Sequence, residues 1–380
     1  DRNGRLLRAY AMDDGRWRLP VDAGQDVDPR YIDLLLAYED QRFRSHHGVD
    51  PQAFVRAALQ WIAHGHIVSG GSTITMQLAR LLEPRQHRSI LAKLRQAVRA
   101  IQLEQLLSKD EILDLYLTLA PYGGNLEGIR AASLAYFGKE PKRLTRAEAA
   151  LLVALPQSPE RRRLDRHPEA ARKARDRVLQ RMVDQGQMSE EDASRARAEP
   201  VPRWRQRMPF LAPHAADQAA SGADAGQMIR LTLDAGLQQR LEQLARERVD
   251  ALGPDVSIGI LAVDNESGDV LAHVGSADYF DVRRAGQVDM VRAVRSPGST
   301  LKPFIYGLAF EDGVVHPESL IEDRPVRFGS YAPENFDMTF QGTVAVRKAL
   351  QLSLNVPAVA LLDRVGAARR TPLDHIGGDA

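Results

Sequence analysis

The sequence predicts a multidomain chain, all-α in its first half and α+β in its second. Three observations carry that expectation. Helix-start signals recur over residues 28–198: Asp28-Pro29 and Asp50-Pro51 each put an N-cap acid before a first-turn proline. Ser108-Lys109-Asp110-Glu111 and Thr145-Arg146-Ala147-Glu148 are capping boxes. From Glu199-Pro200-Val201-Pro202 to about residue 228 the chain turns rich in Ala, Gly, Pro and Arg, the composition of a linker. After Asp234 a helix to about residue 252 gives way to β-forming stretches at 256–263 and 269–274.

Residues 1–27 read as a short β-rich leading segment. Asp13-Asp14-Gly15 is turn chemistry between 6–12 and 17–21, which predicts a hairpin. In the helix that starts at Asp28-Pro29, Ile32, Leu35, Leu36 and Glu39 share one side. Asp50-Pro51 leads into a helix over 54–62, and a long helix fits 89–107. Ser189 with Asp192 is a weaker start signal. In the second half Asn265-Glu266-Ser267-Gly268 marks a hairpin that feeds a mixed sheet, and helices are expected over 300–310 and 344–352.

Composition narrows the chemistry. With 380 residues, 44% hydrophobic and 27% charged, the chain can bury two cores. A net charge of +1 says nothing by itself about a partner, and no nucleic-acid partner is expected. Residues 80–181, however, hold 21 Lys and Arg against 12 Asp and Glu, a local basic excess that suits an anionic ligand as well as a solvated face. Without cysteine there are no disulfides, thiolate metal sites or Cys nucleophiles. No run of 18 apolar residues occurs, and the chain opens on Asp1 rather than Met. The expectation is of a fragment with a membrane anchor upstream.

Glu39 stands at the C-terminal end of an apolar helix, where the helix dipole disfavours a carboxylate. That suits a proton acceptor, although a lone acid there is more often solvated. Phe43 packs beneath the turn, His46 can hydrogen-bond a carboxylate, and Gly48 permits a reversal before Asp50. Gly70-Gly71-Ser72-Thr73 lacks the lysine of a nucleotide loop, yet glycines before a helix let backbone amides approach an oxyanion. Arg80, Arg88, Lys93, Arg95 and Arg99 add positive charge beyond it. Together these features propose a carboxylate base facing a phosphate-bearing substrate.

These residues resemble the signatures of the peptidoglycan glycosyltransferases. Glu39-Asp40-x-x-Phe43-x-x-His46-x-Gly48-x-Asp50 and Gly70-Gly71-Ser72-Thr73-Ile74-Thr75-x-Gln77 resemble the first two. Lys93 and its neighbours follow, then Ser108-Lys109-x-Glu111-Ile112-Leu113-x-x-Tyr116-Leu117 and Gly123-Gly124. Ala131-Ala132-x-x-x-Tyr136-Phe137-Gly138-Lys139 and Leu155-Pro156-Gln157-x-Pro159 complete a likeness that spans roughly 28–160. The resemblance implies a lysozyme-like all-α domain over 28–198 that polymerises lipid II and releases undecaprenyl pyrophosphate. It makes Glu39 the base on the acceptor 4-hydroxyl. It gives Asp40, Phe43, His46, Gly70, Gly71, Ser72, Thr73, Gln77, Arg80, Arg88, Lys93 and Gln96 to substrate binding, and it allows a divalent cation (Mg or Mn) near the pyrophosphate. Ala92-Lys93-x-x-Gln96 departs from the usual Arg-Lys-x-x-Glu, Met76 replaces a common glutamine, and Thr118 stands where Asn is usual. Met76, Gln96 and Ala120-Pro121-Tyr122-Gly123-Gly124 are most similar to the penicillin-binding protein 1C branch.

In the second half Ser299-Thr300-Leu301-Lys302 places a hydroxyl and an amine one turn apart, and Ser353-Leu354-Asn355 offers a second hydroxyl and an amide. Alone, Ser-x-x-Lys is common. With Arg295-Ser296-Pro297-Gly298, Lys302-Pro303-Phe304 and Thr232-Leu233-Asp234-Ala235-Gly236-Leu237-Gln238, it resembles the class A penicillin-binding (β-lactamase-like) transpeptidases. The resemblance implies that stem peptides or β-lactams acylate Ser299, with Lys302, Ser353 and Asn355 assisting. Lys-Thr-Gly is absent from the sequence, so 231–380 is expected to be an incomplete N-terminal part of that domain, behind a linker over 199–230.

The whole implies a bifunctional cell-wall synthase on the bacterial inner membrane, facing the periplasm, whose partners are lipid II and the growing glycan strand. The alternatives are a lysozyme-like lytic enzyme using the same Glu39, and a non-catalytic scaffold or β-lactam sensor. No His/Asp/Glu cluster has metal-ligand spacing. Trp61, Ile62, Ile67 and Val68 suit a membrane surface or an ordinary core.

Overall fold

The computed structural model describes residues 1–52, 72–83, 90–224 and 226–366. The helix expected over 54–62, the apolar set from Trp61 to Val68, and Gly70, Gly71 and Arg88 lie outside the described residues. The chain divides into two compact units, 1–292 and 293–380.

The first unit is built by its helix caps. Asp28 accepts from Arg30 N and starts α1 (Pro29–Glu39), and a further hydrogen bond from Leu144 N ties that start to a distant loop. Thr73 caps α2 (Ile74–Leu82), and the long helix α3 (Ile90–Leu106) follows. Complete capping boxes open α4 (Lys109–Leu119) at Ser108 and α6 (Arg146–Ala154) at Thr145. Between them lies α5 (Ile129–Phe137), where every residue from Ile129 to Tyr136 is buried. A helix buried on all sides belongs at the centre of a bundle. Accordingly α6, buried from Ala149 to Ala154, packs against α1 and against α7 (Pro168–Asp184). Ser189 caps α8 (Glu190–Ala198), and buried Arg175 on α7 donates to the carbonyls of Arg197 and Glu199 at the end of α8. Residues 28–198 are therefore mainly helical where described, with Tyr31, Leu35, Phe43, Leu78, Tyr116 and Tyr122 in their core.

The leading segment differs from the expected hairpin. The turn closes, with Gly15 N donating to Met12 O at 2.8 Å, but β1 (Trp17–Arg18) pairs in parallel with β3 (Leu126–Glu127). β2 (Pro121–Gly123) covers the other edge of β3 in antiparallel register. Glu127 supplies the reason, because its carboxylate accepts from both Arg16 and Arg18. Residues 7–9 turn instead to 209–211, with Leu211 N donating to Leu7 O at 2.8 Å.

The 199–230 stretch is not irregular throughout. Pro213 opens α9 (Pro213–Ala220), and alanine outweighs the glycine that suggested a linker. Asp234 caps α10 (Ala235–Leu252), as expected. β4 (Ile260–Val263) and β5 (Val270–Val274) form the hairpin, two-stranded among the described residues.

The second unit is α+β. α11 (Lys302–Glu311) follows a 3₁₀ turn at Gly298–Leu301. β6 (Leu320–Asp323) pairs antiparallel with β7 (Gly342–Ala345). α12 (Val346–Gln351) starts two residues later than expected, because Val344 is paired with Ile321 in the sheet. α13 (Asn355–Val365) closes a core of Tyr306, Ala309, Val346, Ala349 and Leu361. Among the described residues no helix is long and apolar enough to cross a membrane.

Candidate active site

Glu39 is the last residue of α1 and half-exposed. Each carboxylate oxygen accepts from a different glutamine: Gln77 Nε2 donates to Oε2 at 3.0 Å and Gln157 Nε2 to Oε1 at 2.6 Å. Gln77 comes from α2, whereas Gln157 ends the 3₁₀ turn Leu155–Gln157 behind α6. Beneath them Tyr116 OH lies 3.4 Å from Gln77 Oε1. Burial pushes the Tyr116 phenol well above its ordinary pKa and the Glu39 charge adds to it, so this hydroxyl stays a neutral donor. The carboxylate thus faces solvent on one side and fixed donors on the other.

Asp40 does different work. It is buried, and its carboxylate accepts from His46 Nε2 at 2.9 Å and from Ile74 N at 2.9 Å. The sequence predicted an anion at the start of α2. The structure supplies Asp40 itself there, so Ile74 N is not open to an external oxyanion. Thr73 is likewise spent inside, donating to Gly48 O at 2.6 Å and accepting from Met76 N. Buried Phe43 lies under the Lys109 ammonium, 4.6 Å from its ring centroid. The Asp40, His46 and Thr73 side chains therefore spend these hydrogen bonds on joining the first two signatures to each other.

Of the other expected binding residues, Ser72 and Gln96 are half-buried and Arg80 and Lys93 are exposed. Arg99, on the same helix as Lys93, pairs with Glu83 at 2.8 Å. Sequence reasoning missed Glu104, which accepts from Thr75 Oγ1 and Lys109 Nζ at 2.6 Å each and ties α3 to α2 and α4. It also gave no role to Arg162, whose Nη1 donates to Gln157 Oε1 at 3.2 Å. Among the described residues no group of three or more His, Asp or Glu side chains is placed to hold a metal ion. No such group is therefore described for the divalent cation that the resemblance allowed.

In the second unit Lys302 is buried. Its ammonium donates to Asn355 Oδ1 at 2.6 Å, to Ser353 Oγ at 3.1 Å and to the Ser353 carbonyl. All three acceptors are neutral, and burial lowers the Lys302 pKa. Ser353 adopts φ 53°, a left-handed conformation rare for serine, at the end of α12. Asn355 is oriented by Nδ2 donating to Glu334 O and by its own N–H donating to Asn335 Oδ1. Ser299 lies in the exposed 3₁₀ turn one turn before Lys302, where its carbonyl accepts from Lys302 N, and among the described residues its hydroxyl makes no hydrogen bond to Lys302, Ser353 or Asn355. The structure thus brings three of the four expected residues into one cluster and sets the fourth beside it in sequence.

Residues 3–183 match the family described as Transglycosylase, and residues 258–372 match the Penicillin binding protein transpeptidase domain. Penicillin-binding protein 1C of Escherichia coli (strain K12) is 48% identical over 367 residues, covering 97% of this chain and 47% of that protein. The chain belongs to the class A penicillin-binding proteins. Two further members of the family, penicillin-binding proteins 1F and 2D of Bacillus subtilis (strain 168), are each 34% identical. Those matches cover 92% and 88% of this chain and 51% of each relative. The chain spans about half the length of these curated penicillin-binding proteins. The Transglycosylase match contains Glu39, Gln77 and Gln157, and the transpeptidase match contains Ser299, Lys302, Ser353 and Asn355.

Proposed function

We propose that the first unit polymerises lipid II into β-1,4-linked glycan strands with release of undecaprenyl pyrophosphate. The observation that carries this reading is the Glu39 carboxylate, half-exposed and held at both oxygens by Gln77 and Gln157. Glu39 takes the proton from the acceptor sugar 4-hydroxyl as that oxygen attacks the donor anomeric carbon. The bond from that carbon to the pyrophosphate breaks, and the leaving group carries away the electron pair. Arg80 and Lys93, both exposed, together with Arg88, supply the charge that receives the pyrophosphate.

In the second unit Ser299 is the nucleophile toward D-Ala-D-Ala stem peptides and β-lactams. Lys302 takes its proton, and Ser353 and Asn355 hold the amine. Residues 28–198 form the glycosyltransferase domain, 199–230 connect it, and 231–380 belong to the transpeptidase. A lipid-linked substrate places the protein at the bacterial inner membrane with its catalytic units facing the periplasm.

Incubation with labelled lipid II tests the first assignment. Polymer that grows with time supports it. Fragments released from finished glycan, with no polymer, would establish a lytic enzyme instead, and turnover of neither substrate would leave a scaffold.

A further inference from the structure

Resting on the reading of Glu39 as the base, we infer that Arg162 is a positioning residue that acts on Glu39 through Gln157. A glutamine amide has a donor end and an acceptor end of nearly equal size, so its orientation is set by its neighbours. Arg162 has donors only. Its Nη1 lies 3.2 Å from Gln157 Oε1, which turns the Gln157 amino group to Glu39 Oε1 at 2.6 Å. A carboxylate can only accept, so the chain from Arg162 through Gln157 to Glu39 has a single self-consistent direction. The opposite oxygen meets the Gln77 amide at 3.0 Å, and the two amides fix the carboxylate plane.

Arg162 is held in an unusual setting for so small a task. It is half-buried at the end of the 3₁₀ turn Glu160–Arg162 and also donates to the Ala154 carbonyl. Burial and the neighbouring Arg177 charge lower its pKa, opposed by Tyr38 and Glu39. No carboxylate forms an ion pair with it among the described residues, and the Glu39 charge, reached through Gln157, offsets part of its own.

The test is a double-mutant cycle on this chain, with lipid II polymerisation as the readout. Arg162→Met is expected to lower kcat about ten- to a hundredfold with KM within about twofold, as displacement of a reacting group does. Gln157→Met is expected to give a similar loss, and the double variant no more than either single one. Independent losses that multiply, or an effect on KM alone, would overturn the proposal. Because Arg162 also holds Ala154, thermal melts are recorded for each variant. If Arg162→Met does not fold, Gln157→Glu carries the test. It keeps an acceptor for Arg162 but cannot donate to an ionised Glu39, so it should lose kcat, and unchanged kcat would overturn the inference. Glu39→Gln separates the two claims. If it remains active the assignment of the base fails, whereas an inactive Glu39→Gln with an additive cycle removes only the role of Arg162.

Discussion

The Asp40 carboxylate accepts from the His46 imidazole at 2.9 Å, and both side chains are buried. Asp40 follows Glu39 directly, and its other contact, Ile74 N, begins the helix that carries Gln77. This pair therefore sets the distance between the carboxylate of α1 and the amide that steadies it. Lys109 extends the clasp, with its Nζ 3.4 Å from His46 Nδ1 and donating to Glu104 Oε1 at 2.6 Å.

Asp40→Ala should leave Ile74 N and the imidazole without their acceptor inside the fold. The expected cost is about 3 kcal/mol of stability in chemical denaturation. Polymerisation should fall as well, through loss of the Gln77 position. A variant as stable as the parent would refute the clasp.

Gly48 sits at φ 85°, and a Cβ there would stand 2.6 Å from the Ala100 backbone carbon on α3. Backbone on both sides leaves nothing flexible to yield. Gly48→Ala should lower stability by about 3 kcal/mol or more, combining left-handed strain with displacement of α3. An unchanged melting temperature would show that α3 does not pack there.

Helix starts and the place of Glu39 were legible because a cap is written in four consecutive residues. Asp28, Ser108, Thr145, Ser189 and Asp234 all accept the expected backbone hydrogen bond. What depended on distant partners was not legible. The strand at Trp17 left its own turn for Leu126, drawn by Glu127. The glycine-led helix start looked open to an external anion, because nothing local says that Asp40 reaches Ile74 N from 34 positions away. Gln157 stands 118 positions from Glu39, and only the packing of α6 on α1 brings them together.

Lys302 yields a pH dependence. Burial among neutral acceptors lowers its pKa from the ordinary 10.5, so the neutral amine is reached at lower pH than in a free lysine. Below that pKa the ammonium cannot take the Ser299 proton, and above it the amine can. β-Lactam acylation should therefore rise with pH and level off before 10.5 in the parent. Lys302→Met should show slow acylation with no such rise. A flat profile in the parent would remove Lys302 as the base.

The most direct test of the account is lipid II polymerisation by the parent chain and by Glu39→Gln, run side by side with a melt of each. Glutamine keeps the shape of Glu39 but not its basicity. Glycan polymer is expected from the parent, and at least about a thousandfold less from a folded Glu39→Gln. Comparable polymer from both proteins would contradict it.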